Sequence, residues 1–305
     1  LVDAKANVDV QDVGGCFPLH RAAQNGHGDV VQLLVDAKAA FDTGDDRNAS
    51  LLLSSAVSGD LASIQSLLGK DANVNAGDAV IQATSLHIAA MCGHNDVLRV
   101  LVDAKASVDS QDSSGYTAMH WAAMCGHNDC VKVLLDAKAS VDIQNRSGYT
   151  PMHYAAENGH SGCVHALVDA KANVDVKERC GYTALHRAAQ NGHSGVVQIL
   201  FKAKANIDIR GSDGYTPMHC AVRYRHSGVV ECLIDAKASV DVKCLSGQTP
   251  MHLAAQFDCS GAAQMLVDAK ASVNIKDITG YTSLHHAALE GHHDAVQVLV
   301  DANAS

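Results

Sequence analysis

The 305-residue chain has no run of apolar residues near the ~20 needed to span a bilayer, although 47% of its residues are hydrophobic. It shows no secretory signal peptide and no Cys-x-x-Cys pair. Its formal net charge of -10 gives none of the basic excess that nucleic-acid binders place against phosphates. These absences argue against a membrane protein and against a nucleic-acid-binding protein.

The motifs of catalysis are missing as well. No glycine-rich phosphate loop, nucleophile elbow or paired-carboxylate arrangement stands out from the rest of the sequence. Proline is scarce, and all four prolines occur at one point of an internal repeat: Pro18, Pro151, Pro217 and Pro250. That repeat carries most of the information in the chain.

The repeat has a period of 33 residues. Gly-Tyr-Thr-Pro-Met-His begins at Gly148 and again at Gly214, and Gly-Tyr-Thr-Ala-Leu-His begins midway between them at Gly181. Self-similarity at this period indicates a solenoid in which each unit contacts its neighbours. We therefore expect a single domain over 1–305, with repeats at 11–43, 44–77, 78–110, 111–143, 144–176, 177–209, 210–242, 243–275 and 276–305 and the tail of an earlier repeat at 1–10. Both ends resemble internal sequence and no initiator Met is present, so we expect a fragment of a longer chain.

The fifth repeat shows how one unit should fold. Residues 144–148 form a turn cluster, and Thr150 is placed to cap a helix whose first residue is Pro151, where the missing N–H costs nothing. Gly159 suits the left-handed conformation after that helix. A second helix is predicted over about 161–170. Each unit should read turn, helix, turn, helix.

The Thr-Pro-Leu-His-like tetrad, the Ala-Ala pair, the following Gly-His and the Val-Val-x-x-Leu-Leu helix resemble the ankyrin repeat over practically the whole chain. The resemblance implies an all-α ankyrin-repeat solenoid of stacked helix-turn-helix units, with projecting β-turn or hairpin loops and a concave binding face. It also implies that the tetrad His hydrogen-bonds the Thr and neighbouring backbone. Its usual function is protein recognition.

Eighteen histidines invite a metal or catalytic hypothesis. Seven of them follow the helix-ending Gly or its replacement, as do His94, His127 and His226, and eight lie in the tetrads: His20, His87, His120, His153, His186, His219, His252 and His285. Parallel columns cannot converge on a metal at about 2 Å. We predict no catalytic residue, no metal site and no cofactor, with metal binding at His285-His286 and His292-His293 left as an alternative.

One departure from the ankyrin pattern is systematic. Where that family places Gly after the second helix, this chain has Lys5, Lys38, Lys105, Lys138, Lys171, Lys204, Lys237 and Lys270, with Asp71 and Asn303 in two further copies. If the backbone is left-handed there, each Lys costs about 1 kcal/mol relative to Gly. The lysine column is either a lineage feature copied when the repeat duplicated or a functional row of ammonium groups. We predict no binding site from it.

Specificity should lie where the repeats differ. The residue after the turn Gly gives a tyrosine row, broken by Gln248, which could serve recognition or framework: Tyr116, Tyr149, Tyr182, Tyr215 and Tyr281. Two adjacent repeats replace the helix-ending Gly by Arg225 and Asp258, beside Arg223, Tyr224 and Phe257. We hypothesise that these five residues form the centre of a partner site, with sequence drift as the alternative.

The sequence thus favours a non-catalytic protein–protein interaction scaffold that binds a partner protein on its concave face. The alternative is a substrate-recruiting or regulatory module of a larger multidomain enzyme or channel, and an enzyme within these residues is a third class. The ten cysteines fill columns that elsewhere hold Val, Ala or Asn, and equivalent positions lie about 10 Å apart, beyond the roughly 7 Å reach of a disulfide. We expect reduced thiols, a monomer, and an intracellular location in the cytoplasm or nucleus.

Overall fold

A computed structural model describes residues 8, 10–12, 16–25, 27–37, 39, 41–44 and 46–303. These residues form 18 helices, and their only bridge of β type joins Gly77 and Thr84. The predicted all-α class is confirmed. No helix among them exceeds 12 residues, and none has the length and apolarity needed to cross a bilayer.

The chain divides into two compact units. Unit 1 comprises Leu1–Ala155 with Asp169–Ala172, and unit 2 comprises Ala156–Val168 with Asn173–Ser305. Unit 1 holds α1 (Pro18–Gln24), α2 (Gly28–Asp36), α3 (Arg47–Ser58), α4 (Leu61–Leu68), α5 (Ser85–Cys92), α6 (Asn95–Asp103), α7 (Ala118–Cys125) and α8 (Asn128–Asp136). The division falls within α9 (Pro151–Glu157) and α10 (Ser161–Asp169). Unit 2 holds α11 (Ala184–Gln190), α12 (Ser194–Lys202), α13 (Pro217–Arg223), α14 (Ser227–Asp235), α15 (Pro250–Gln256), α16 (Ser260–Asp268), α17 (Ser283–Glu290) and α18 (His293–Asp301).

Each regular repeat contributes one helix pair, as predicted. In the fifth repeat the first helix begins at Pro151, Gly159 has φ 74°, and the second helix ends at Asp169, one residue before the predicted end. The first helices pack directly on one another within each unit, α5 on α7 and α11 on α13. Small side chains allow this close approach, and Ala188 and Ala189 are completely buried.

The tetrad histidine joins each repeat to the next. In His120, Nδ1 accepts hydrogen bonds from the Thr117 N–H at 3.0 Å and from the Thr117 hydroxyl at 2.9 Å, while Nε2 donates to the Tyr149 carbonyl at 3.0 Å. Both nitrogens are satisfied only if the ring is neutral and carries its proton on Nε2. The same pair of contacts is made by four other tetrad histidines: His87, His186, His219 and His252. The predicted bond to Thr and backbone is confirmed in these repeats.

A second histidine column joins each repeat to the one before it. His127 Nε2 lies 2.9 Å from the Met91 carbonyl, and His226 Nε2 lies 3.0 Å from the Gln190 carbonyl. These carbonyls lie at the end of the preceding first helix, where intrahelical partners run out. The sequence analysis assigned no role to this column. The two columns together bind each regular repeat in both directions within its unit.

The repeat at 44–77 departs from the pattern, and its neighbours compensate. Its first helix, α3, begins at Arg47 with the Asp46 side chain accepting from the Ala49 N–H at 3.0 Å, so that it starts without a tetrad. His20 of the previous repeat bonds instead to the buried Asp78 carboxylate of the following repeat at 3.0 Å. Asp78 also accepts from the Asp42 N–H at 2.8 Å. One buried carboxylate therefore connects the repeats on either side of the irregular one.

The lysine column adopts the left-handed backbone that the ankyrin-like pattern implied. The φ angles are 67° at Lys105, 64° at Lys138, 66° at Lys171, Lys204 and Lys237, and 69° at Lys270. Asp71 and Asn303 share this conformation. Lys5 and Lys38 lie outside the described residues.

We predict that Lys138→Gly stabilises the protein, because glycine adopts positive φ without the steric cost that lysine incurs. The expected gain is about 1 kcal/mol in the free energy of unfolding by urea. Lys132→Gly, in the middle of α8, is the matched control and should lose about 1 kcal/mol. Destabilisation by Lys138→Gly would show that the left-handed lysine is not strained.

Candidate interaction surface

The tyrosines after the turn Gly lie against the tetrad histidines of their own repeats. Ring centroids are 4.7 Å apart for Tyr182 and His186, 5.2 Å for Tyr215 and His219, and 5.4 Å for Tyr281 and His285, all in stacked geometry. Tyr281 is 42% exposed and the other four tyrosines of the row are partly exposed. Each tyrosine thus shields a histidine with part of its ring and leaves part of it available to a partner.

In unit 1 the tyrosine row is joined by two aromatic residues that the sequence analysis did not select. Tyr116 stacks on Trp121 at 4.8 Å, and its hydroxyl lies 2.7 Å from the hydroxyl of Tyr154. Tyr149 lies 5.0 Å from Tyr154. The result is an aromatic cluster in which the predicted residues Tyr116 and Tyr149 are neighbours.

A turn residue contacts a helix residue nine positions later in four of the repeats. Asp112 accepts from the Trp121 indole N–H at 3.2 Å, and Asp277 lies 2.9 Å from His286 Nε2. The further pairs at this spacing are Asn145 with Tyr154, Glu178 with Arg187, Gly211 with Cys220, and Cys244 with Leu253. The nine-residue spacing and the polar character of the contacting residues can both be read from the sequence. Together they are the signal by which Trp121 and Tyr154 could have been found.

The predicted partner-site residues of unit 2 separate into two groups. Arg223 lies between two aromatic rings, with its guanidinium carbon 5.7 Å from the ring centres of both Tyr215 and Phe257. Its Nη1 donates to the Tyr215 hydroxyl at 3.2 Å. Tyr224, at the end of the same helix, is 47% exposed. In this first group a cation contacts two aromatic rings, and a third aromatic residue follows it in the chain.

Arg225 and Asp258 form the second group and contact each other. Their φ angles, 64° and 52°, are the left-handed values expected where each replaces a helix-ending Gly. Arg225 Nη2 donates to the Asp258 carbonyl at 2.7 Å, and its ion pair with the Asp258 carboxylate is longer, 3.9 Å. Such an exposed pair contributes about 0–1 kcal/mol to stability. The two replacements therefore interact across adjacent repeats.

A cleft of about 400 Å³ opens beside Arg223. We call it the Arg223 cleft, and its principal walls are Tyr182, Arg187, Asp213, Tyr215, Cys220 and Arg223. Four of the residues selected from the sequence line it: Tyr182, Tyr215, Arg223 and Tyr224. Phe257 contributes by holding Arg223.

The four histidines considered as an alternative metal site make other contacts. His285 Nδ1 lies 2.8 Å from the Thr282 hydroxyl, His286 pairs with Asp277, and His292 Nδ1 lies 2.9 Å from the Ala255 carbonyl. His293 is exposed beside Asp294. Within the described ranges no three His, Cys, Asp or Glu side chains converge as a metal ion would require.

Comparison with known proteins decides the family. A family model described as ankyrin repeats, three copies, matches residues 1–78, 52–145, 86–178, 137–211, 203–277 and 237–305, and these matches together cover the chain. The chain belongs to the ankyrin-repeat family. The ankyrin-repeat fold is generally a non-catalytic module for protein interaction.

Two further similarities place this ankyrin-repeat chain among known proteins. The human ASB11 ankyrin repeat domain, known from a crystal structure, is 28% identical and has a TM-score of 0.65, covering 72% of this chain and 98% of that one. The probable E3 ubiquitin-protein ligase XBOS32 of Oryza sativa subsp. japonica is 32% identical over 85 residues, 28% of this chain. That match spans 17% of the length of XBOS32.

Burial keeps five of the ankyrin-tetrad histidines neutral. Loss of solvent lowers the pKa of His120, His186 and His219 to about 4 and also lowers the pKa of His87 and His252. A proton added to Nδ1 would in addition face the two Thr donors that now bind there. The column is therefore a set of groups that resist protonation only while the repeats remain folded.

We predict that stability falls as the pH is lowered from 7 to 5. The unfolded histidine pKa is about 6.5 and the folded values are lower, so the unfolded chain binds more protons in this window. Each pKa unit corresponds to about 1.4 kcal/mol, lost progressively as the pH falls toward the folded pKa. The free energy of unfolding measured in urea should fall with pH across this window, and His219→Gln should reduce that dependence. A pH-independent unfolding free energy would contradict neutral tetrad histidines.

Proposed function

We propose that this ankyrin-repeat protein is a non-catalytic protein–protein interaction scaffold whose partner contacts unit 2 around Arg223 and Tyr224, on the concave face expected for the family. The observation that carries the placement is the exposed cation and aromatic ring beside the Arg223 cleft. Arg and Tyr are the residue types that dominate binding energy at protein interfaces. Phe257, Arg225 and Asp258 extend the proposed surface into the next repeat.

The tyrosine row is proposed to widen this surface. Tyr182 and Tyr215 line the cleft itself. Tyr116 and Tyr149 present a corresponding aromatic surface in unit 1. Rings already stacked on histidine lose little conformational entropy when a partner packs against them.

The use of the histidines supports a non-catalytic role. In five tetrads both ring nitrogens are engaged in hydrogen bonds within the repeats: His87, His120, His186, His219 and His252. A general base needs a free nitrogen within reach of its substrate. Both nitrogens of these histidines take part in bonds that stabilise the fold, so neither is free to act as a general base.

A second candidate function is recruitment of substrates for an enzyme in a larger chain. It is favoured by the similarity to the probable E3 ubiquitin-protein ligase XBOS32, although this chain spans only 17% of that protein. A full-length protein that ubiquitinates the partner captured by this chain would support recruitment.

We further propose that the protein is a monomer in the cytoplasm or nucleus. Its cysteines occupy repeat columns that hold other residues elsewhere, which is consistent with reduced thiols in such a compartment.

We predict that Arg223→Ala combined with Tyr224→Ala weakens binding of the main captured partner at least about tenfold, because the pair removes a guanidinium and a large aromatic contact. The partner is identified by affinity capture and mass spectrometry, and its affinity is then titrated. The control is Phe201→Ala with Lys202→Ala, an exposed aromatic and cation on α12 of the same unit. This pair should change affinity less than twofold.

Equal affinity of the wild type and the Arg223/Tyr224 variant would show that the partner binds elsewhere. The scaffold function itself would be contradicted if no protein is captured. It would also be contradicted if the amount captured does not rise with the amount of folded protein.

A further inference from the structure

The Arg223 cleft exists because one turn–helix pair is unusually small. Elsewhere the residue after the tetrad histidine, which is the helix member of this pair, is larger: Arg21, Ile88, Trp121, Tyr154, Arg187, Leu253 or His286. In the repeat at 210–242 it is Cys220, nine positions after the turn residue Gly211. A Cβ at Gly211 would overlap the Tyr182 ring, so the absence of a side chain lets Tyr182 lie over the turn. The volume that a large side chain fills in other repeats is left open here.

Two of the three charged walls of the cleft are already compensated. Arg187 Nη2 lies 3.3 Å from the buried Glu178 carboxylate. Asp213 accepts from the Tyr182 hydroxyl at 2.6 Å and from the Tyr215 N–H at 2.9 Å. The cleft therefore holds one guanidinium and one carboxylate whose hydrogen bonds are provided by the protein.

Arg223 is the third charged residue of the cleft, and it differs from the other two. Among the described residues no carboxylate lies within ion-pair distance of its guanidinium, which contacts only the Tyr215 hydroxyl and the rings of Tyr215 and Phe257. Confinement between two rings restricts its rotamers before any partner arrives, so ordering it on binding costs little. A planar guanidinium held in this way is suited to bidentate pairing with a carboxylate.

Resting on the function proposed above, we propose that the Arg223 cleft binds a Glu or Asp side chain from an extended segment of the partner protein. The carboxylate pairs with Arg223, and an adjacent apolar side chain of the segment packs against Tyr182 and Cys220. A dianionic phosphate fits less well, because its second charge would approach the Asp213 carboxylate. The chain as a whole carries a net charge of -10 and repels acidic segments at long range, so recognition depends on this local guanidinium.

The test is selection of a random 12-residue peptide library displayed on phage against the full 305-residue chain. Enriched peptides, synthesised and titrated by fluorescence anisotropy, should carry Glu or Asp next to a large apolar residue. Arg223→Gln should weaken their binding at least about tenfold, the effect of losing a charge-assisted hydrogen bond. Arg99→Gln, which removes an exposed arginine from α6, should leave affinity unchanged.

A second variant tests the cleft rather than the charge. Cys220→Leu places in the cleft floor the side chain that Leu253 provides in the next repeat, so the fold should accommodate it. It should abolish peptide binding while the urea unfolding midpoint stays near that of the wild type. If Cys220→Leu fails to fold, the binding measured for Arg223→Gln decides alone whether the proposal stands.

Three results would overturn the proposal: enriched peptides without acidic residues, binding insensitive to Arg223→Gln, or no enrichment at all. Tighter binding when phosphoserine replaces the Glu would assign the cleft to phosphate instead. None of these results bears on whether the scaffold captures a protein partner through other surfaces, so the broader function is tested separately.

Discussion

The neutral imidazole of the tetrad histidine is the interaction on which the rest of the structure depends. One nitrogen accepts from the threonine that begins the first helix, and the other donates to a carbonyl of the next repeat, as His186 does to Tyr215 at 3.1 Å. A single side chain therefore fixes both the start of a helix and the position of the neighbouring turn. Lysine or arginine could not replace it, because neither can accept a hydrogen bond while donating another.

The residues proposed for recognition are built on that framework. Tyr215 covers His219 with its ring and offers its hydroxyl to Arg223, so the same residue shields a structural bond and positions a cation. The contacts establish the framework role of this tyrosine, and its role in recognition is part of the proposal.

The helix pairs could be predicted because they follow from residues within one repeat, whereas the tetrad bonds were expected from the resemblance to the ankyrin repeat. Thr150, Pro151 and Gly159 define the start and end of a helix by local geometry. The role of His226 was missed, because its partner, the Gln190 carbonyl, lies 36 residues away and carries no side-chain signature.

The Arg223 cleft could not be predicted for a similar reason. It arises from what Gly211 and Cys220 lack relative to the other repeats, and such a void becomes visible only when helix and turn are placed together. Arg223, Tyr224 and Phe257 were selected from the sequence because they depart from the repeat, but the binding surface that they form remains a proposal.

The most direct test of the tetrad interaction is the protonation state of its imidazoles. Long-range ¹H–¹⁵N NMR spectra of the histidine rings distinguish the two neutral tautomers and the cation. The five tetrad histidines with both bonds should show the Nε2–H tautomer at pH 7, and His120, His186 and His219, whose pKa is lowered to about 4, should keep it at pH 5. Conversion of His120, His186 or His219 to the cation between pH 7 and pH 5, or a proton on Nδ1 of these rings at pH 7, would contradict the account.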